Sequence, residues 1–409
     1  MFWIIVLDWL EFAVRWLHVV TAIAWIGSSF YFIALDLGLR PSTDRREGVS
    51  GEAWQVHGGG FYFIQKYLVS PSRMPNELTW FKWESYGTWL SGAALLMLVY
   101  WAGAELYLVD QTKFEMAPMM GVVVSAVSLT IGWIVYNALC KTGLSERPTL
   151  LMVLLFVLLM AMGWGYNQIF TGRAVLLHLG AFTATIMTAN VFFIIMPNQR
   201  IVVKDLIAKR APDAKYGKIA KLRSTHNNYL TLPVIFLMLS NHYPLAFAST
   251  YNWVIAGLVF LMGVTIRHFF NTHHAHKGFV WWTIPATILL FLAAVGLSVL
   301  GSEAQTYEAA EARALAPHEA RYAQAEGFEE TVDVVLGRCS MCHAREPGWP
   351  GIAVAPKGVM LETPADVAAN ARRILVHAGL STAMPPANIT WMEPSERAMI
   401  RAWIEAANG

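Results

Sequence analysis

Cys339-Ser340-Met341-Cys342-His343 sets two thiols two residues apart and an imidazole directly after the second. C-x-x-C-H is the attachment pattern of a c-type haem. The thiols of Cys339 and Cys342 would bond to the two vinyl groups of one porphyrin, with His343 beneath the ring as an axial ligand of iron. The other axial donor in cytochromes c is commonly a methionine sulfur, which raises the reduction potential. Ser381-Thr382-Ala383-Met384-Pro385-Pro386 offers Met384 in a proline-bounded loop. Met341, Met360, Met392 and Met399 are rival methionines, but none sits in such a loop. A C-x-x-C pair also occurs in disulfides, thioredoxin-like redox pairs and zinc sites. Zinc would need two more Cys or His nearby, and only His377 is at hand. A disulfide needs neither the adjoining histidine nor the Met-Pro loop. The expected chemistry is single-electron transfer through one covalent haem c.

The elements around the motif suit that reading. Glu329 to Leu336 predicts a short helix leading into it, and Ser395 after Pro394 caps a last helix with Met399, Ile400, Trp403 and Ile404 at helical spacing. Residues 326–409 are therefore expected to form a small class I cytochrome c domain. So short a domain has little core of its own, and a buried porphyrin would supply much of it. Residues 301–325, rich in Ala and Glu, read as a solvated, partly helical linker.

The first three hundred residues are different. Hydrophobic residues make up 56% of the chain and charged residues 14%, against a soluble norm of about 25% charged. Apolar stretches long enough to cross about 30 Å of hydrocarbon recur. They predict an all-α integral membrane protein, an eight-helix bundle over 1–300. Its spans lie near 9–37, 86–107, 116–139, 148–170, 173–196, 226–248, 251–273 and 279–300. The first is not read as a cleaved signal peptide, since it carries Asp8, Glu11 and Arg15 and is too long.

Cytoplasmic loops hold the Lys and Arg. Loops after spans one, three, five and seven carry 6, 2, 8 and 2 basic residues, Arg267 at the end of span seven included, and the other side carries only Arg15, Lys113 and Arg173. The N-terminus and the tail are therefore expected outside, in the periplasm of a bacterial inner membrane. Haem attachment to C-x-x-C-H also takes place there. Cys140 reads as an inert small residue.

Ionisable groups within spans are costly and default to functional hypotheses. His18 lies on the outer part of span one and His178 one to two turns into span five. His226 starts span six on the inner side, and His268 lies near the inner end of span seven. Neutral imidazole in a helix bundle suits haem iron. One haem b between His18 and His178, or a second involving His226 and His268, would give an electron path across the bilayer. His242, His273, His274 and His276 read as helix-end groups bonded to backbone.

The long first cytoplasmic loop holds His57-Gly58-Gly59-Gly60-Phe61-Tyr62, Gln65-Lys66, Pro71-Ser72-Arg73-Met74-Pro75 and Trp80-Phe81-Lys82-Trp83-Glu84. Loops of this length are usually functional or disordered, and this aromatic composition argues against disorder. The glycines would let backbone approach a planar ligand, and a cation with an amide would grip an anionic heterocycle. Trp80, Trp83 and Trp89 also fit interfacial anchors.

The whole assembly resembles the membrane-bound bacterial urate oxidases of the PuuD type, eight spans fused to a C-terminal cytochrome c. The resemblance is carried by Arg15-Trp16-Leu17-His18-Val19-Val20, Ala24-Trp25-Ile26-Gly27-Ser28-Ser29-Phe30, Trp80-Phe81-Lys82-Trp83-Glu84, Thr88-Trp89-Leu90-Ser91-Gly92 and Cys339 to His343. The first span is also similar to that of HemJ-type protoporphyrinogen oxidases, whose first-helix histidine is associated with haem b, and His18 falls on that position. The resemblance implies urate as substrate and 5-hydroxyisourate as product. Two electrons would leave singly, through the tail, to a soluble cytochrome c or terminal oxidase, without hydrogen peroxide. In that setting Gln65, Lys66 and Arg73 are candidates for gripping the urate anion. His57, Glu84 or His226 is the candidate base, with His better matched to the working pH. A haem-protein relay from quinol, or a porphyrinogen oxidase, is the alternative. Nucleic acid is not expected as a partner.

Overall fold

The computed structural model describes residues 2–42, 48–69, 71, 77–111, 113–303, 315–352 and 355–408. Contacts divide the chain into two units, Val6–Leu239 with Asn252–Gly296, and Met1–Ile5 with Ser240–Tyr251 and Leu297–Gly409.

Most of the chain is helical, and six helices among the described residues are long and apolar enough to cross a membrane. A multi-pass, membrane-associated protein follows from them. The first is α1 (Phe2–Gly38). Next, α2 (Trp83–Leu95) runs into two π-helical stretches, Leu96–Trp101 and Ala104–Leu108. Then come α3 (Pro118–Leu139), α4 (Pro148–Ile169) and α5 (Gly172–Ala189). A π-helical turn at Asn190–Ile195 carries α5 into α6 (Met196–Ile207). After α7 (Ala214–Leu239) and the short α8 (Pro244–Phe247) come α9 (Asn252–His274) and α10 (Thr283–Glu303).

Of the eight spans expected, six helices among the described residues meet the length and hydropathy needed. Of the remaining two, α2 is broken by its π-helical stretches, and α7 is polar over its first half. The sixth span is also displaced: the helix starts at Ala214 rather than 226 and stops at Leu239, where Ser240–His242 forms a 3-10 turn.

Helices in lipid gain little from burying apolar groups against one another, so small residues that admit close approach dominate their contacts. On α3, Gly121, Ser125, Gly132 and Tyr136 share one buried face. A Cβ at Gly132 would stand 1.8 Å from Phe182 of α5. One at Gly263 of α9 would stand 2.5 Å from the ring of Pro233 in α7. These contacts put α5 and α7 at the centre and set the spacing of the polar groups described below.

The all-α expectation is corrected in one place. Residues of the first long loop form an antiparallel hairpin, β1 (Val49–His57) with β2 (Gly60–Tyr67), in register Trp54 to Phe63 and His57 to Gly60. Alternating aromatic and β-branched residues favour strands. Gly58 and Gly59 both take positive φ, as the two-residue turn requires. The glycine run is therefore a hairpin turn. Tyr31 of α1 donates to Gln55 at 2.7 Å, and Lys66 pairs with Asp36 of α1.

The second unit holds α11 (Pro317–Ala323), α12 (Phe328–Cys339), α13 (Pro364–Ala369), α14 (Ala371–Ile374) and α15 (Pro394–Ala406). The N-cap of α15 is Glu393, not Ser395: its own N–H is met by the Glu396 carboxylate. Val335, Val367, Leu375, Ile400 and Trp403 make the core, and Trp403 donates to Tyr322 O at 2.8 Å.

Candidate functional site

The tail gathers its sequence-predicted residues around one core. Cys339 ends α12, and Cys339 and Cys342 are free thiols rather than a disulfide. Burial pushes the Cys339 thiol up to about 11, aided by the neighbouring Cys342. Such a sulfur is a poor thiolate. His343 Nδ1 lies 2.9 Å from the carbonyl of Val359, and Leu361 N–H donates back to His343 O at 2.7 Å. A carbonyl on Nδ1 fixes the tautomer and leaves the Nε2 lone pair for a metal. Burial also holds the imidazole below its ordinary range. Met384 packs against the same core as Cys339. The loop that carries it is pinned by buried Arg397 of α15, which donates to the carbonyls of Ala378, Ser381 and Met384 at 2.7, 3.1 and 2.8 Å. Two adjacent thiols, an oriented imidazole and a thioether on one small core fit a covalent haem. Among the described residues no three or more His, Cys, Asp or Glu are grouped so as to hold a metal ion.

In the membrane unit a buried polar layer joins the last turns of α3 and α9, the turn after α5 and the middle of α7. Its centre is Tyr136 near the end of α3. The Tyr136 hydroxyl lies 2.8 Å from His226 Nδ1 on α7 and accepts from Asn190 Nδ2 at 3.0 Å. Asn190 opens the π-helical turn after α5, the kind of local distortion that often marks functional sites. It also donates to Asn227, which in turn donates to the carbonyl of Met187. Arg223 donates to Asn190 Oδ1 at 3.1 Å and Asn137 Oδ1 at 2.8 Å, with its guanidinium 4.9 Å from the centre of the Tyr136 ring. On another face of α7, Arg267 of α9 reaches Asn271 at 3.1 Å and Asn228 at 3.4 Å, over the ring of Phe30. His226 Nε2 and Asn228 Nδ2 are buried and have no hydrogen-bond partner among the described residues.

The other sequence candidates fare differently. His18 Nδ1 meets Thr88 O at 3.0 Å and Ser91 Oγ at 3.1 Å, and its ring lies so close to Gly92 that a Cβ there would be 2.9 Å away. With Nδ1 held by a backbone carbonyl, Nε2 is the nitrogen left for iron, so the residue fits a haem b ligand. His178 does not: it is 0% exposed, with Nδ1 on Ala174 O at 2.8 Å and Nε2 on Ser125 Oγ at 2.7 Å. Tyr100, Tyr166 and Phe170 close around its ring. His268 bonds Tyr229 through Nδ1 at 3.3 Å. His57 is exposed at the end of β1, next to the hairpin turn. Glu84, in the first turn of α2, keeps one buried carboxylate oxygen without a hydrogen bond. Lys66 is paired with Asp36, and Gln65 accepts from Tyr67 at 3.0 Å. Arg73 lies outside the described residues.

Sequence reasoning does not single out Arg223, Arg267, Tyr136 or the five asparagines Asn137, Asn190, Asn227, Asn228 and Asn271. Arg223 and Arg267 had been counted as loop charge. The signal for them is Arg223 with His226-Asn227-Asn228 at helical spacing, and an arginine inside span seven.

No curated protein and no solved structure shows significant similarity to the chain. The urate oxidase N-terminal family matches residues 4–298, nearly the whole of the helical region that holds the polar layer, and the chain belongs to that family.

Proposed function

We propose that the protein is a membrane urate oxidase whose tail is a cytochrome c domain. Urate and water would give 5-hydroxyisourate, two protons and two electrons. The observation that carries this reading is the family match over residues 4–298 on a chain that also bears a C-x-x-C-H motif, with Cys339 and Met384 packed on one core and His343 bonded to Val359 of that core. A haem c held by those four residues would take electrons one at a time and pass them to a soluble cytochrome c or terminal oxidase. Dioxygen then has no part at the site, and no hydrogen peroxide forms. A haem b at His18 is part of the proposal.

The chain's own groups divide the remaining work. Tyr136 already accepts a hydrogen bond from Asn190, and with a proton on His226 Nδ1 it accepts a second. That tautomer leaves His226 Nε2 with a free lone pair, so His226 is the base that takes a proton from the attacking water. His57 is exposed at the end of β1, and Glu84 lies at the start of α2. The buried helix contacts keep bulk water from the layer and hold the base in one orientation.

The tail and both chain ends are assigned to the periplasmic face and the polar layer to the cytosolic face. The test is an anaerobic absorption spectrum of the purified protein before and after urate. Reduction of the haem bands by urate, with no peroxide in air, is expected. Bands that respond only to quinol or to a porphyrinogen would replace this reading with a relay or a porphyrinogen oxidase.

A further inference from the structure

We propose that Arg223 is the residue that recognises the negative charge of the substrate, a planar oxo-purine monoanion seated against His226 Nε2. The inference rests on the oxidase reading above and deepens it.

Arginine keeps its charge in proteins, and a buried charge ordinarily has an opposite charge beside it. Arg223 is 2% exposed, and its guanidinium donates to Asn137 and Asn190 and lies over the face of Tyr136. No carboxylate among the described residues meets it. Other cations of this unit differ: Lys66 has Asp36, Arg210 has Asp205 and Lys215 has Asp213, all at least partly in water. An arginine serving only as an interfacial anchor would reach for water. Arg223 does not.

A second observation points the same way. His226 follows Arg223 by three residues on α7, so the two share a helix face. It is 1% exposed, and its Nε2 is buried without a partner. Both side chains meet Tyr136, one over the ring and one at the hydroxyl. One uncompensated positive charge and one unmatched ring nitrogen therefore converge on a single aromatic group. An anionic purine supplies what both lack: negative charge delocalised over ring nitrogens and carbonyl oxygens for the guanidinium, and a hydrogen-bonding edge for the imidazole. Arg267 carries a similar uncompensated charge, but it lies with Asn228 and Asn271, away from the unpaired imidazole. Arg223 supplies the donors and His226 Nε2 the acceptor, and both groups are buried in this structure.

The test uses the full chain in detergent or nanodiscs, with equilibrium dialysis in mildly acidic buffer of labelled urate, still a monoanion there, and of xanthine, which is then uncharged. Wild type should bind urate more tightly than xanthine. Arg223→Gln should weaken urate binding by about 10- to 100-fold, on the scale of losing a charge-assisted bidentate contact. Xanthine binding should change little, and Arg223→Lys should fall between. Equal weakening for both purines, or unchanged urate binding in Arg223→Gln, would overturn the proposal. Should Arg223→Gln fail to fold, the wild-type preference and Arg223→Lys decide, and equal wild-type affinity for both purines overturns it. Dialysis needs no turnover. A wild type that binds urate without being reduced by it would defeat the oxidase reading and leave this test intact.

Discussion

The tail and the buried layer of the membrane unit both use histidine, yet they hold it in opposite ways. His343 has Nδ1 bound to a backbone carbonyl, and the residues that would complete its site share one small core. His226 is held by a side chain that is itself held by Asn190, and Asn190 also receives Arg223. A carbonyl can only accept, so the tail's imidazole has one available tautomer and one task. A hydroxyl can give or take, so the membrane imidazole can exchange its proton. The first arrangement suits a fixed ligand and the second suits proton transfer.

Four substitutions would break or sharpen that contrast. The largest effect is expected from Cys339→Ala with Cys342→Ala. Covalent haem staining of the denatured protein should vanish, and urate should no longer reduce an external cytochrome. Retained staining would refute the attachment. His226→Ala should lower kcat by about 10²- to 10⁴-fold, the range for a general base. Haem staining should persist, and the loss should exceed that at His57→Ala or Glu84→Ala in steady-state assays. Next, His18→Ala should remove a non-covalent haem from pyridine haemochrome spectra, and an unchanged b-type content would end its ligand role.

The smallest effect belongs to a surface pair of the tail. Burial works against the charge on Glu396, but hydrogen bonds from Arg338 and from the Glu393 N–H prevail and hold its carboxyl below the usual range. A carboxyl lowered on folding stabilises the fold above its unfolded pKa. That contribution is lost as pH falls through the lowered value. Thermal unfolding of wild type should thus show a shallow acid slope that Glu396→Gln flattens. An identical slope in the variant would show that the pair contributes nothing.

These two regions were not equally legible in the chain. Cys339, Cys342, His343 and Met384 stand out because covalent haem demands fixed residue types at fixed spacing. The six apolar helices were visible because lipid imposes length and hydropathy on any helix that crosses it. The start of α7 was not, since Lys218, Lys221, Arg223 and Thr225 interrupt the apolar period and read as a loop. Whether Arg223 meets water or Asn190 is decided by packing between helices far apart in sequence. The hairpin is another case: the loop reading follows the glycines after His57, whereas Trp54, Val56, Phe61 and Phe63 alternate with period two, the strand signal. His178 is the converse case. Its place deep in a span suggested a ligand, but Ser125 and Ala174 occupy both nitrogens.

Helix α1 has no buried residue in its most apolar window, with Trp9, Phe12, Trp16, Leu17, Val20 and Ile23 all turned outward. Against hydrocarbon, one azimuth of such a rod costs about the same as another. Its angular setting is therefore governed by a few polar and aromatic pins: His18 on Thr88 and Ser91, Phe30 beneath Arg267, Tyr31 on Gln55, and Asp36 with Lys66. Loosening any one of them frees the rod to swivel, and the imidazole of His18 turns with it.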